Sequence, residues 1–427
     1  MRICEVTHKR VSTAQNNVNR MIARFLEGIK AVWSRQQRNW KVAVYRNVVE
    51  RFLRELTFQY NSVYTSMLGA TAAQLGSVTS ISQAALAAIS IPTGWMNDRY
   101  SLRRLHIFGV GLLAFSSLIY ALATDWVMII PALTCYWVAQ RFHCTAICGV
   151  CLENRDRGTA KGLCEGLGSI PSFFAPMVTA FLITYFGGMS VEGLRPVYVI
   201  QFIGRTAMLM FLVWQLKEIV RIPRTKKTSG FMADFHEVFK RGVGLKSFLF
   251  VVASYYIVYN VMLTFRLLFA FEIKGGSALV LASMVAAEIL VRVLFATPLG
   301  QLCDRIGRKK VFYILTPILV TSNLVLVFAP SPEFLILSGI LYGPDQIMQL
   351  IVIGAMKPEL VPQDCIGRWE GIVATVQGLA GIPGPIIGGI IWQTIGPSYV
   401  FYFLIATVLL VQVPAMMSVP ETLNRRK

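Results

Sequence analysis

An all-α membrane protein, with twelve transmembrane helices in two six-helix pseudo-symmetric bundles, is the fold class the sequence predicts, and three observations predict it. Hydrophobic residues make up 55% of the 427 residues and charged residues 15%, a balance far more apolar than that of a soluble chain. Residues 56–97 and 371–420 contain no charged side chain at all. About 20 apolar residues cross a bilayer, so each window holds two crossings. The third observation is a loop signature that occurs twice, 206 residues apart, at Gly94 and again at Gly300.

The segments follow in order. Residues 1–45 are basic and polar, with Met21, Ile22, Phe25 and Ile29 at helical spacing, and are expected on the inner membrane surface. Helices are expected near 46–68, 74–94, 105–124, 126–149, 163–186 and 196–216, which form the first bundle over 46–216. The polar linker 217–246 carries 8 basic residues. A second bundle over 247–418 is expected to hold helices near 247–271, 277–299, 311–330, 333–355, 370–393 and 397–418, ahead of a short tail, 419–427. The first helix is the most polar, with Arg46, Arg51, Arg54 and Glu55 followed by Gln59, Asn61 and Tyr64. Its charges reach the inner surface or face a wet gap. If it did not span, the basic N-terminal segment would stand opposite every other basic loop.

The formal charge of +19 raises the question of a nucleic-acid partner, and the placement of the basic residues answers it. The loops on one side, with the C-terminal tail, hold 23 Lys or Arg; the opposite loops hold only Arg195 and Lys274. Such asymmetry is the positive-inside rule. It places both termini and the 217–246 linker in the cytoplasm of a cell-membrane protein, with anionic lipid as a partner and no nucleic acid.

The repeated loop reads Gly94-Trp95-Met96-Asn97-Asp98-Arg99-Tyr100-Ser101-Leu102-Arg103-Arg104 after the second expected helix. After the eighth it reads Gly300-Gln301-Leu302-Cys303-Asp304-Arg305-Ile306-Gly307-Arg308-Lys309-Lys310. Both copies resemble the loop signature of the major facilitator superfamily, G-x-x-x-D-R-x-G-R-[KR]-[KR], and the resemblance runs from 46 to 422. Glycine lets helices approach closely, and a carboxylate beside arginines can cap and pair with the neighbouring half, latching the halves together in one conformation and releasing them in the other. The resemblance therefore implies a conformational latch made of Gly94, Asp98, Arg99 and Arg103 in the first copy and Gly300, Asp304, Arg305, Gly307 and Arg308 in the second. The first copy has Ser101 and Leu102 where the family has Gly and Arg, so its latch is expected to be weaker.

Further residues match. Arg141 stands where the superfamily has a fourth-helix arginine, although Cys144-Thr145 replaces the usual Gln-Gly. Arg157-Gly158 follows it, with Glu359, Pro362, Gly367 and Arg368 as counterparts in the second half. Gly381-Ile382-Pro383-Gly384-Pro385-Ile386-Ile387-Gly388-Gly389 is similar to the G-P-x-x-G-G element, and Pro420-Glu421-Thr422 to the ending of several branches, sugar porters among them. The seventh-helix stretch Tyr255-Tyr256-Ile257-Val258-Tyr259-Asn260 lacks the glutamines of sugar porters, so a sugar is not favoured. The resemblance implies a secondary active transporter moving a small solute, an anionic one among the options, by alternating access coupled to a proton or other ion gradient. Multidrug efflux by proton antiport is one alternative, and a non-transporting receptor or scaffold on the same fold is another. A monomer is expected.

Intramembrane charge is costly, about 2.5 to 3.5 kcal/mol each on the insertion scale, so each instance requires a reason. Glu288 and Arg292 lie one turn apart and can neutralise each other, in a structural or a functional role. Arg266 lies near the outer end of its helix and can snorkel. Arg205 has no evident reason. Arg141 and Asp345 have no opposite charge nearby in sequence. They are the candidates for attracting an anionic group and for exchanging a proton, unless they bridge to each other structurally. Glu55, Gln59 and Asn61 complete the candidate substrate and coupling residues.

No nucleotide-binding glycine loop with lysine and serine or threonine is present, and an enzyme is not expected. Neither is a cofactor. No cysteine falls in an outer loop, which argues against disulfides. Cys144, Cys148 and Cys151 share a helix face beside His143, a pattern open to a soft metal but favoured as helix packing by small residues.

Overall fold

Inside a bilayer no water satisfies backbone N–H and C=O groups, so a chain this apolar satisfies them within helices. The computed structural model describes residues 33–34, 37–152, 157–218, 238–362 and 365–423, apart from the side chains of 91, 94–95, 97–99, 143–152, 157–163, 165 and 367. All regular structure among them is helical. Helix α1 (Arg38–Thr57) passes through a tighter turn, Phe58–Tyr60, into Asn61–Met67. There follow α2 (Ala72–Arg99), α3 (Leu102–Leu122), α4 (Ile129–Leu152), α5 (Arg157–Tyr185) and α6 (Val191–Gln215). After the linker come α7 (Leu245–Glu272), α8 (Ala278–Ile306), α9 (Arg308–Phe328) and α10 (Leu335–Ile347). α10 continues as π-helix over Met348–Ile353 and as α-helix over Gly354–Glu359. The chain closes with α11 (Ile366–Ala380), α12 (Pro383–Thr394) and α13 (Pro397–Thr407), which continues as π-helix over Val408–Gln412 and as α-helix over Val413–Met417.

Among the described residues nine helices are long and apolar enough to cross a membrane, which makes the chain an all-α, multi-pass membrane protein. α1, α2 and α4 are not among the nine: α1 carries five charged residues from Arg46 to Glu55, and α2 is rich in Ser, Thr and Gln.

Two boundaries differ from the sequence expectation. α1 begins at Arg38 rather than 46, because Trp40, Val42, Ala43 and Val44 are buried in apolar clusters and extend the packed helix into the segment expected to be peripheral. The single helix expected over 370–393 is two, α11 and α12. Pro383 and Pro385 lack the N–H groups that would carry the ladder through.

Packing is dense within α1–α6 (α3 on α4 and α6, α1 on α5 and α6, α2 on α4) and within the later helices (α10 on α8 and α9, α7 on α11 and α12). The two groups meet where α2 lies along α11 and α12 and where α5 lies along α8. Gly76 sets the α2 contact: any Cβ there would collide with the backbone carbonyl of Pro385. Ser80 Oγ donates to the Ile382 carbonyl at 2.6 Å across the same seam.

Candidate functional site

Charged side chains far from water identify the site. In the later helices, Arg266 on α7 is 7% exposed and Glu288 on α8 is 4% exposed. Arg266 Nη1 donates to Glu288 Oε2 at 2.8 Å, and its guanidinium lies 4.1 Å from the Tyr342 ring centroid. Asp345, three residues after Tyr342 on α10, presents Oδ2 to the Tyr255 hydroxyl at 3.1 Å. The cluster is incompletely satisfied: Arg266 Nε and Nη2 and Asp345 Oδ1 are buried without a hydrogen-bond partner. The expectation that Glu288 pairs with Arg292 is corrected, because α7 brings Arg266 to it. The expectation that Arg266 snorkels outward is corrected with it.

In the first group Arg205 on α6, 2% exposed, acquires the reason the sequence did not supply. Its Nη2 and Nε donate to Glu50 on α1 at 2.8 and 3.3 Å, and Nη1 donates to Ser117 Oγ on α3 at 2.7 Å. Gln201, one turn earlier, donates to the Leu53 carbonyl and to Thr57 Oγ1, both at 2.7 Å. Asn61 accepts from the Tyr198 hydroxyl at 2.8 Å and so faces α6. Gln59 is half-buried.

Between the groups, Glu55 is paired with its neighbour Arg54. Arg54 Cζ lies 5.6 Å from the Phe58 ring, which meets Tyr136 at 5.4 Å and Trp137 at 6.1 Å on α4. Arg292 is half-buried on α8, within charge–charge range of Arg51 and Glu55. Arg141 is half-buried on α4, in similar range of Tyr256 on α7. Gln349, in the π-helical continuation of α10, donates to the Tyr256 hydroxyl at 2.9 Å. Thus α1, α4, α7, α8 and α10 each contribute polar groups to the interior, beside those of α3 and α6. The partners Glu50, Tyr255 and Tyr342 escaped sequence reasoning; the tyrosine-rich run 255–259 was the available signal for the second.

The signature loops lie at one end. Arg308 Nη1 pairs with Asp304 at 2.8 Å and Nη2 with Glu359 at 3.1 Å, so the Asp304 contact joins helices of the same group. Arg305 is exposed and Gly307 has φ 107°. Gly300 sits in α8 near Ile351. Glu421 accepts the backbone N–H groups of Arg308 and Lys309 at 3.0 and 3.1 Å and those of Thr422 and Leu423 at 2.9 and 3.2 Å. Arg103 donates to the Leu216 and Val213 carbonyls at 2.6 and 2.8 Å and caps the end of α6. Gly94 lies in α2, and the side chains of Asp98 and Arg99 lie outside the described residues, as do those of His143, Cys144, Cys148 and Cys151. Among the described residues no three His, Cys, Asp or Glu side chains are grouped to hold a metal.

Comparison with known proteins agrees with this architecture. The family model described as Major Facilitator Superfamily matches residues 52–291 and 248–427. Curated relatives include an uncharacterised MFS-type transporter of Methanocaldococcus jannaschii, 32% identical over 125 residues, which are 28% of this chain and 30% of that protein. Multidrug resistance protein 3 of Bacillus subtilis is 28% identical over 119 residues, 28% of this chain and 23% of the relative. The chain thus matches less than a third of either relative's length. Solved structures of the same fold include a mutant of the nucleoside transporter NupG (TM-score 0.73, 15% identity, 88% of this chain and 99% of that one). A D-xylose-proton symporter has TM-score 0.71 at 15% identity, over 90% and 98%. A bacterial homologue of the lysosomal transporter Spinster, inward-facing and unoccupied, has TM-score 0.64 at 15% identity, over 89% and 93%.

Proposed function

The chain belongs to the major facilitator superfamily, and from that membership we propose that it is a secondary active transporter moving a small anionic solute by alternating access, coupled to protons. The observation that carries the reading is Asp345, 5% exposed with one carboxyl oxygen unpartnered, beside an Arg266–Glu288 pair that is already neutral. A carboxyl placed so deep is costly unless its protonation is used. We take Arg141 and the α1–α8 arginines as the attraction for anionic solute, and the loops at Asp98 and Asp304 as parts that change partners during the cycle.

Twelve spans in two six-helix bundles are part of the proposal. α1 and α2 are the spans that face the wet interior and so score as polar, α4 is a span whose side chains from 143 on lie outside the described residues, and α11 with α12 makes one broken crossing. The one-sided basic loops support cytoplasmic termini. The packing of the core supports a state open toward that face. Leu53, Val78, Val261, Leu281 and Leu404 share one apolar cluster across both groups. Toward the signature loops the described residues form separate clusters, around Trp369 in one group and around Trp40 and Val42 in the other.

Efflux of varied compounds is a second reading, favoured by the partial similarity to multidrug resistance protein 3. Purified protein in liposomes, offered a panel of organic anions under an imposed pH gradient, tests the proposal. Accumulation of an anion is expected, whereas no flux of any solute under any gradient would point to a receptor or scaffold.

A further inference from the structure

We propose that the gap between α1, α4 and α7 binds an organic anion whose negative group is carried by an aromatic ring, with Arg54 as its charge partner and Phe58, Trp137 and Tyr259 as walls for the ring. The proposal rests on the transporter reading and names the solute class for it.

Charge comes first. Arg205 is bonded to Glu50, with Arg46 also in charge–charge range, and Arg266 is bonded to Glu288; around Glu55 the count is uneven as well, and there a cation stays accessible. Arg54 is paired to it, and Arg51 and Arg292 stand within charge–charge range. Among the described residues Arg54 and Arg292 share that carboxylate between the two helix groups, where excess like charge is costly and an added anion relieves it. Arg54 is enclosed by both helix groups, with Tyr136 of α4 and Tyr259 of α7 as electrostatic neighbours, yet 34% of its side chain remains accessible. An enclosed but accessible cation lines an internal gap. Arg51 is held in place on the far side of α1: it donates to Ser169 Oγ on α5 at 3.3 Å and passes over Gly168, where a Cβ would lie 2.6 Å from its Cδ.

The aromatic groups come second. Phe58, Tyr136 and Trp137 meet at 5.4, 6.1 and 5.3 Å between centroids. Tyr256 and Tyr259 on α7 are 5.8 Å apart. Phe58, Trp137, Tyr256 and Tyr259 are only half-buried, and of these Phe58 and Tyr259 stand beside Arg54. Aromatic rings attract another ring edge-on or offset, and a guanidinium takes a carboxylate or phosphate in a forked pair. A neutral aromatic leaves the arginines unmatched, and an aliphatic anion loses the ring contacts.

Carboxylate and phosphate share the anionic chemistry, so the test uses both. Thermal unfolding of the full chain in lipid nanodiscs is followed with benzoate, phenyl phosphate, benzamide and cyclohexanecarboxylate. At least one of the two aromatic anions should raise the melting temperature saturably. Benzamide should bind at least about tenfold more weakly, and cyclohexanecarboxylate roughly three- to tenfold more weakly than benzoate. Phe58→Leu, which leaves the Arg54–Glu55 pair intact, should abolish the preference for the ring. Arg54→Gln combined with Glu55→Gln should weaken anion binding at least about tenfold. If that double variant does not fold, the four ligands on the unaltered chain and on Phe58→Leu still decide. Aromatic anions that bind no better than benzamide, or a ring preference that survives Phe58→Leu, would overturn the inference. pH-driven uptake of an aliphatic or neutral solute in liposomes would then leave transport standing and remove only the solute class. Absence of any driven uptake would remove transport itself.

Discussion

Glu50 shows what a single side chain does in this interior. It receives two hydrogen bonds from Arg205 with both groups nearly inaccessible, so neither charge has water to fall back on. Removing one partner of such a pair strands the other at a cost of about 3–5 kcal/mol, whereas replacing both with apolar groups can be neutral. Glu50→Gln should lower the melting temperature by several degrees, and Glu50→Leu with Arg205→Met should recover part of the loss, since Arg46 also lies in charge–charge range of Glu50. A wild-type melting temperature for Glu50→Gln would show that the pair is not buried as described. The residue scale is also where sequence reading stops. Arg205 and Glu50 are 155 positions apart, and no local pattern joins them. For Glu288 the local pattern favoured Arg292 one turn on, yet the tertiary neighbour Arg266 holds it. Helical spacing says which residues can touch along one helix; only packing says which helix supplies the better partner.

α9 illustrates the element scale. Its N-cap, Gly307, provides no side-chain cap, and Glu421, more than a hundred residues on, takes the Arg308 and Lys309 N–H groups instead. Burial works to raise the Glu421 carboxyl, but hydrogen bonds from the Leu423, Lys309, Arg308 and Thr422 backbone outweigh it and hold the group below the usual carboxylate range. A carboxyl lowered in the folded state stabilises fully above its unfolded value and loses that contribution as pH falls through its folded value. Glu421→Gln should therefore cost about 0.5–2 kcal/mol near neutrality, as loss of a helix cap does. The loss should shrink in acid. Melting temperatures from pH 7 down to 3 check this; two curves that stay parallel throughout would reject it. The sequence contained Pro420-Glu421-Thr422 as a match, but its physical task became visible only with α9 beside it. The glycine- and proline-rich stretch 381–389 was likewise legible as an element, while the break between α11 and α12 was not.

At the scale of the whole molecule the sequence was most informative, since membrane solvent constrains a long chain more strongly than any local contact. Uncharged windows, a duplicated loop and one-sided basic residues were enough to identify a multi-pass protein of this superfamily. The interior site was legible as a set of misplaced charges, not as an arrangement. On the proposed topology, single cysteines at Ser229→Cys and Thr422→Cys should react with an impermeant label only after the membrane is opened, and labelling of intact cells would reverse the orientation. The central claim is that a gradient of protons drives the solute through Asp345. Asp345→Asn in liposomes tests it most directly, with accumulation under a pH gradient measured beside exchange of solute across equilibrated membranes. The account predicts that the variant loses accumulation and keeps exchange; a variant that still accumulates solute against its gradient would contradict it.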